Sequence, residues 1–96
     1  MNEEELERQS DLLAELLNDP RTAVDDLVRI IERDPVLADR VLALVNSARF
    51  GTRRRVTVLR EAVVLLGFRI LRRLVEERRR RLREGKVGPR EREAGF

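Results

Sequence analysis

Apolar residues in the first half of the chain recur at intervals of three and four, the period of helices with one buried face. Over residues 3–18 they are Leu6, Leu13, Leu16 and Leu17, with Ser10 between them. Asn2 stands where its side chain can cap this helix, and Glu3, Glu4 and Glu5 suit the positive end of its dipole. Asn18-Asp19-Pro20 ends it, because the residue before a proline avoids the α region. Thr22 is the expected cap of a second helix, with Asp25 three residues on and a stripe of Val24, Leu27, Val28, Ile30 and Ile31. Asp34-Pro35 opens a third, with Asp34 as cap and Pro35 at the first helical position, where a missing N–H costs nothing. Leu37, Val41, Leu44 and Val45 form its buried face with Leu42 alongside. It is expected to run to about Ala48, with Gly51 in the positive-φ position that closes it.

From Gly51 to Val56 the chain reads as a polar, basic loop. Thr57 is the expected cap of a short fourth helix that turns Ala62, Val63, Leu65 and Leu66 inward. Gly67 ends or sharply bends that helix, and a fifth follows with Phe68, Ile70, Leu71, Leu74 and Val75. Beyond Val75 the stripe thins to Leu82 alone, and residues 85–96 read as a flexible tail. The pattern contains no strand, hairpin or repeat signal. The expectation is therefore an all-α bundle of about five helices over residues 1–84, with a basic helical extension and a tail.

Composition narrows the chemistry. The chain has 96 residues, no His and no Cys, so the commonest general base, metal ligand and sulfur nucleophile are missing. Aromatics make 3%, too few for a base-stacking platform. The net charge of +3 conceals an asymmetry. Residues 1–52 carry 6 Arg against 12 Asp and Glu, a balance of −6; residues 53–96 carry 14 Arg and 1 Lys against 6 Glu, or +9. Such asymmetry suggests an acidic partner for the second half, or one half docking on the other. The acidic start is unlike a secretory signal, and the apolar runs, such as Ala62 to Leu66, are too short to span a bilayer. The expectation is a cytoplasmic protein that does not enter a membrane.

Three ordered segments carry a family likeness. Ile31-Glu32-Arg33-Asp34-Pro35-Val36-Leu37, Arg40-Val41-Leu42 and Val45-Asn46-Ser47-Ala48-Arg49-Phe50-Gly51 resemble the HDOD domain family. Val56 to Val63, with Glu61-Ala62, and Leu65-Leu66-Gly67-Phe68 through Leu74 continue the likeness, which spans about residues 12–75. The resemblance implies an all-helical fold related to the HD phosphohydrolases but without their metal ligands. It implies a bacterial regulatory or signalling module, acting without catalysis, cofactor or metal. It also implies structural roles for Asp34, Pro35, Asn46, Ser47, Phe50, Gly51, Glu61, Ala62 and Gly67. Longer members continue with further helices after the Leu66-Gly67 segment, so surface exposed here is an expected place for a partner, including a second copy. The family's usual Ser at the start of the fourth helix is Val58 here.

The residues themselves allow two readings at each candidate site. Asn46, Ser47, Phe50 and Gly51 form a small polar ligand site, or they satisfy a helix end and plug the core; the structural reading is preferred, because buried polar groups are usually tied to backbone. Asp25-Asp26 and Asp34 with Asp39 could be imagined around Mg²⁺, but carboxylates at helix starts are common for dipole reasons. Arg53, Arg54, Arg55, Arg69, Arg72 and Arg73 are the candidate contacts for an acidic partner or an anion. Their competing assignment is a solvated face, partly neutralised by the i,i+4 pairs Arg72–Glu76, Arg73–Glu77, Glu76–Arg80 and Glu77–Arg81. The function expected is regulatory protein–protein contact, and the alternative is nucleic-acid binding by the Arg-rich half.

Overall fold

The computed structural model describes residues 1–47 and 54–94, residues 86–94 by backbone alone. It contains four helices: α1, Glu3–Leu17; α2, Val24–Glu32; α3, Pro35–Val45; and α4, Leu59–Ala94. No strand occurs among the described residues. The fourth and fifth helices expected from sequence are two limbs of α4. They meet at Gly67, whose φ of 79° and ψ of 166° interrupt the helix. A side chain at that φ is strained, so glycine makes the bend possible. A Cβ there would meet nothing within 4 Å, so the requirement for glycine comes from the backbone and not from crowding. The second limb continues to Ala94, through the stretch that reads as a tail.

α4 packs along α1, α2 and α3 and so forms the spine of the bundle. The core joins Leu13 and Leu17 of α1, Leu27 and Ile31 of α2, Leu37, Val41 and Val45 of α3, and Ala62, Val63, Leu66, Leu71, Leu74 and Val75 of α4. Val56, inside the segment read as a polar loop, is also buried there. Leu82 carries buried surface about two turns further along α4. Leu65, expected inside, is half exposed; Val58 and Val64 lie exposed on the same limb.

Two expected caps are present. The Glu5 N–H donates to Asn2 Oδ1 at 2.9 Å, and the Leu37 N–H donates to Asp34 Oδ1 at 3.3 Å. Two others differ. The cap position of α2 is Ala23, with no side-chain hydrogen bond. Thr22 instead turns back, its Oγ1 donating to the Leu16 carbonyl at 2.7 Å. Thr22 therefore closes the end of α1 and stands one residue before the cap position of α2. α4 begins one residue later than expected, which places Val58, not Thr57, at the cap position; the Ala62 N–H bonds the Val58 carbonyl at 3.1 Å.

α3 ends at Val45 and not at about Ala48. The reason is Asn46, whose amide leaves the helix to bind backbone on both sides. Its Nδ2 donates to the Leu42 carbonyl at 2.9 Å and to the Val56 carbonyl at 2.8 Å. Its Oδ1 accepts from the Val56 N–H at 2.7 Å. One side chain thus gives Val56 the pairing of a sheet neighbour, which lets this residue enter the core with its backbone polar groups satisfied. Ser47 Oγ donates to the Leu44 carbonyl at 2.7 Å. Both side chains bond backbone at the end of α3. Phe50 and Gly51 lie outside the described residues.

Candidate interaction surface on the last helix

The limb of α4 after Gly67 places arginines on two faces, and helix geometry sorts them. At about 100° per residue, positions 71, 74, 75, 78 and 82 share one side. Leu71, Leu74, Val75 and Leu82 are buried there. Arg78 lies among them and meets Asp34, with Nε to Oδ2 at 2.8 Å and Nη2 to Oδ1 at 3.0 Å. Their side chains are only 11% and 5% exposed. This bidentate pair ties α4 to the start of α3, and Asp34 serves it while capping α3. The Asp34-Pro35 turn is therefore more than a cap, a role that the spacing of the sequence does not reveal.

Flanking residues are also occupied. Arg79 donates to Asp11 of α1 at 2.9 Å and to Glu76 at 2.6 Å. Burial pulls the Arg79 guanidinium down, but the two carboxylates outweigh it and raise its pKa above the ordinary value. On the other flank Glu77 binds Arg40 of α3 and, at 3.3 Å, Arg81. Arg72 Nη1 donates to the Leu17 carbonyl at 3.1 Å, covering the C-terminus of α1, where a cation suits the dipole.

The outward face is different. Arg69, Arg72, Arg73, Glu76, Glu77 and Arg80 line an open groove of about 400 Å³. Of the four expected i,i+4 pairs only Glu77–Arg81 forms among the described residues. The groove's carboxylates turn to cations on its flanks: Glu76 to Arg79, Glu77 to Arg40 and Arg81. Arg69, Arg73 and Arg80 have no carboxylate partner among the described residues. Three exposed guanidinium groups thus stand in a row with their charge unspent. Arg80 belongs to the Arg-rich half expected from sequence but not to the shorter set of candidate contacts; the repeat Arg69, Arg73, Glu76, Arg80, in steps of four, three and four, is the signal that contains it.

The loop arginines contribute less to one surface. Arg54 is exposed and 4.0 Å from Glu61, Arg55 is exposed, and Arg53 lies outside the described residues. Nearby, Arg60 donates to Asp25 at 2.7 Å. Asp25 and Asp34 are therefore committed to arginines. No group of three or more His, Cys, Asp or Glu among the described residues could hold a metal ion. No described helix is long and apolar enough to cross a membrane.

Comparison with known proteins adds three findings. The family model described as "HDOD domain" matches residues 9–78, from the middle of α1 to Arg78. An uncharacterized protein of Treponema pallidum (strain Nichols) is 39% identical over 59 residues, which cover 62% of this chain and 12% of that protein. The chain thus spans a small part of the length of the curated relative it matches. No solved structure matches it. The match runs from the helix that receives Arg79 to the arginine that holds Asp34, and takes in the Asn46 clamp and the Gly67 bend. The chain belongs to the HDOD domain family.

Proposed function

We propose that this chain is a non-catalytic regulatory module that works by protein–protein contact, with the outward face of α4 as its contact surface. The observation that carries this reading is the row of Arg69, Arg73 and Arg80, exposed along one limb of α4 and without a carboxylate partner among the described residues. Each neighbouring charge that could neutralise them is drawn aside to an ion pair on a flank. Guanidinium groups held this way remain available to bind carboxylates in a fork geometry. The absence of His and Cys from all 96 residues supports a role in binding and not in catalysis. Membership of the HDOD family agrees with a module that acts beside other domains, and the relative's matching segment is a small part of a much longer protein.

Site-specific photo-crosslinking in host cells tests this. A crosslinking residue at position 73 should give a discrete protein adduct that disappears when Arg69 and Arg80 are both changed to Glu. The same probe at Glu32, exposed at the end of α2, should not give it. Loss of this position dependence would sink the reading. So would tight binding of random duplex DNA at physiological salt that collapses as salt rises, the mark of counterion release.

A further inference from the structure

The chemistry of the groove restricts what can lie in it. Its floor is a single helix; along its middle, charges fall at positions 69, 73, 76 and 80, the four-three-four spacing of a helix–helix seam, with Arg72 on one edge and Glu77 on the other. From Arg69 to Arg80 the row is about 16 Å long. Its sign is mixed: plus, plus, minus, plus. Glu76 stays largely exposed even while bound to Arg79, with 64% of its side-chain surface open.

Three kinds of occupant can be weighed against that pattern. A second copy using the same face would bring two rows of net positive charge together; even laid antiparallel, with Arg73 opposite Glu76, the two-fold would set Arg69 against Arg80 at both ends. Like charges facing each other across an interface are costly. A phosphate backbone carries uniform negative charge and would run over Glu76 and Glu77. A protein helix can match the row residue by residue, with acids opposite the three arginines and a neutral or basic residue opposite Glu76.

We infer that the outward face of α4 docks an acidic α-helix of a partner protein, laid along the row from Arg69 to Arg80. This rests on the contact reading above and specifies its partner. The partner helix presents Asp or Glu at heptad spacing opposite Arg69, Arg73 and Arg80, and interrupts that acidic row opposite Glu76. The contact is polar and sits at an exposed site, so it is strongly weakened by salt.

Fluorescence anisotropy with the full chain tests the inference. The probes are a stapled helical peptide with Glu at the three matching positions and Lys opposite Glu76, a stapled peptide of the same composition with shuffled spacing, and a random duplex DNA. The matched peptide should bind at least about tenfold tighter than the shuffled one, and Arg73→Glu should remove that preference. Changing the facing Glu of the peptide to Lys should restore binding to Arg73→Glu, as a charge swap requires. Arg73 is exposed, so the variant should retain the helical circular dichroism of the parent. Equal affinity for matched and shuffled peptides would overturn the helix geometry, while a position-73 protein adduct would still uphold the contact reading. Preference for the duplex over both peptides, with no such adduct, would overturn both.

Discussion

The two faces of α4 after Gly67 use the same residue type for opposite ends. Inward, Arg78 is almost wholly buried and both oxygens of Asp34 receive it. Outward, Arg69, Arg73 and Arg80 stand exposed without a carboxylate among the described residues. Arg78 and Arg80 are two residues apart, and a rotation of about 200° about the helix axis separates a structural tie from a candidate contact. An arginine count therefore says little about binding. Facing decides whether the charge is consumed by the fold or left for a partner.

The largest way to break this contrast is at Arg78. Arg78→Ala leaves Asp34 buried with its charge uncompensated and should destabilise the protein by about 3–5 kcal/mol in urea unfolding. Asp34→Asn combined with Arg78→Met should recover much of that loss, since Asn keeps the cap and Met fills the space. A loss below about 1 kcal/mol for Arg78→Ala would mean that the buried pair contributes little to the fold. Next is Asn46, which frees Val56 to enter the core. Asn46→Ala removes three hydrogen bonds to backbone and should cost about 2 kcal/mol. Amide exchange should show it directly, with the Val56 N–H losing protection first.

Gly67 sets the direction of the second limb and thereby which arginines face in. Gly67→Ala should cost about 1–3 kcal/mol, all of it backbone strain, because the added methyl meets nothing. A neutral result in thermal unfolding would show that the bend tolerates an L-residue. On the outward side, Arg73→Ala and Arg80→Ala should each stay within about 0.5 kcal/mol of the parent while weakening partner binding. A stability loss comparable to Arg78→Ala would erase the distinction between the faces.

The smallest effect is expected at Asp19, an exposed pair far from either face. The Arg21 side chain, and then its backbone N–H, hold the Asp19 carboxyl below the usual carboxylate range. A carboxyl lowered by folding stabilises above its unfolded pKa, and that contribution disappears as pH falls through the folded pKa. Asp19→Asn should therefore narrow its small deficit against the parent on acidification. A deficit that grows on acidification would contradict the sign.

Most of the helices are legible in the sequence because each depends on neighbours within a turn. Asn2 and Asp34 cap as their positions require, and the three-four stripes identify Leu13, Leu17, Leu27, Ile31, Leu37 and Val41 as core. Failures occur where a side chain had a choice. Thr22 has the look of a cap for α2, yet α2 starts one residue too late for it, and its hydroxyl bonds back to the Leu16 carbonyl. Leu65 has the periodicity of a buried residue, yet the limb before Gly67 leaves it half exposed.

The candidate site divides in the same manner. The charge asymmetry, the HDOD-like motifs and the basic character of the last helix follow from the sequence alone, since they are properties of residue type and order. Which arginines remain unpaired does not. Glu76 and Glu77 each had several cations within helical reach, and the choice among them depended on Asp11 of α1 and Arg40 of α3, distant in sequence and brought alongside by folding. Local order sets the menu of ion pairs; the packing of α4 against α1 and α3 chose from it, and so left the row from Arg69 to Arg80 open.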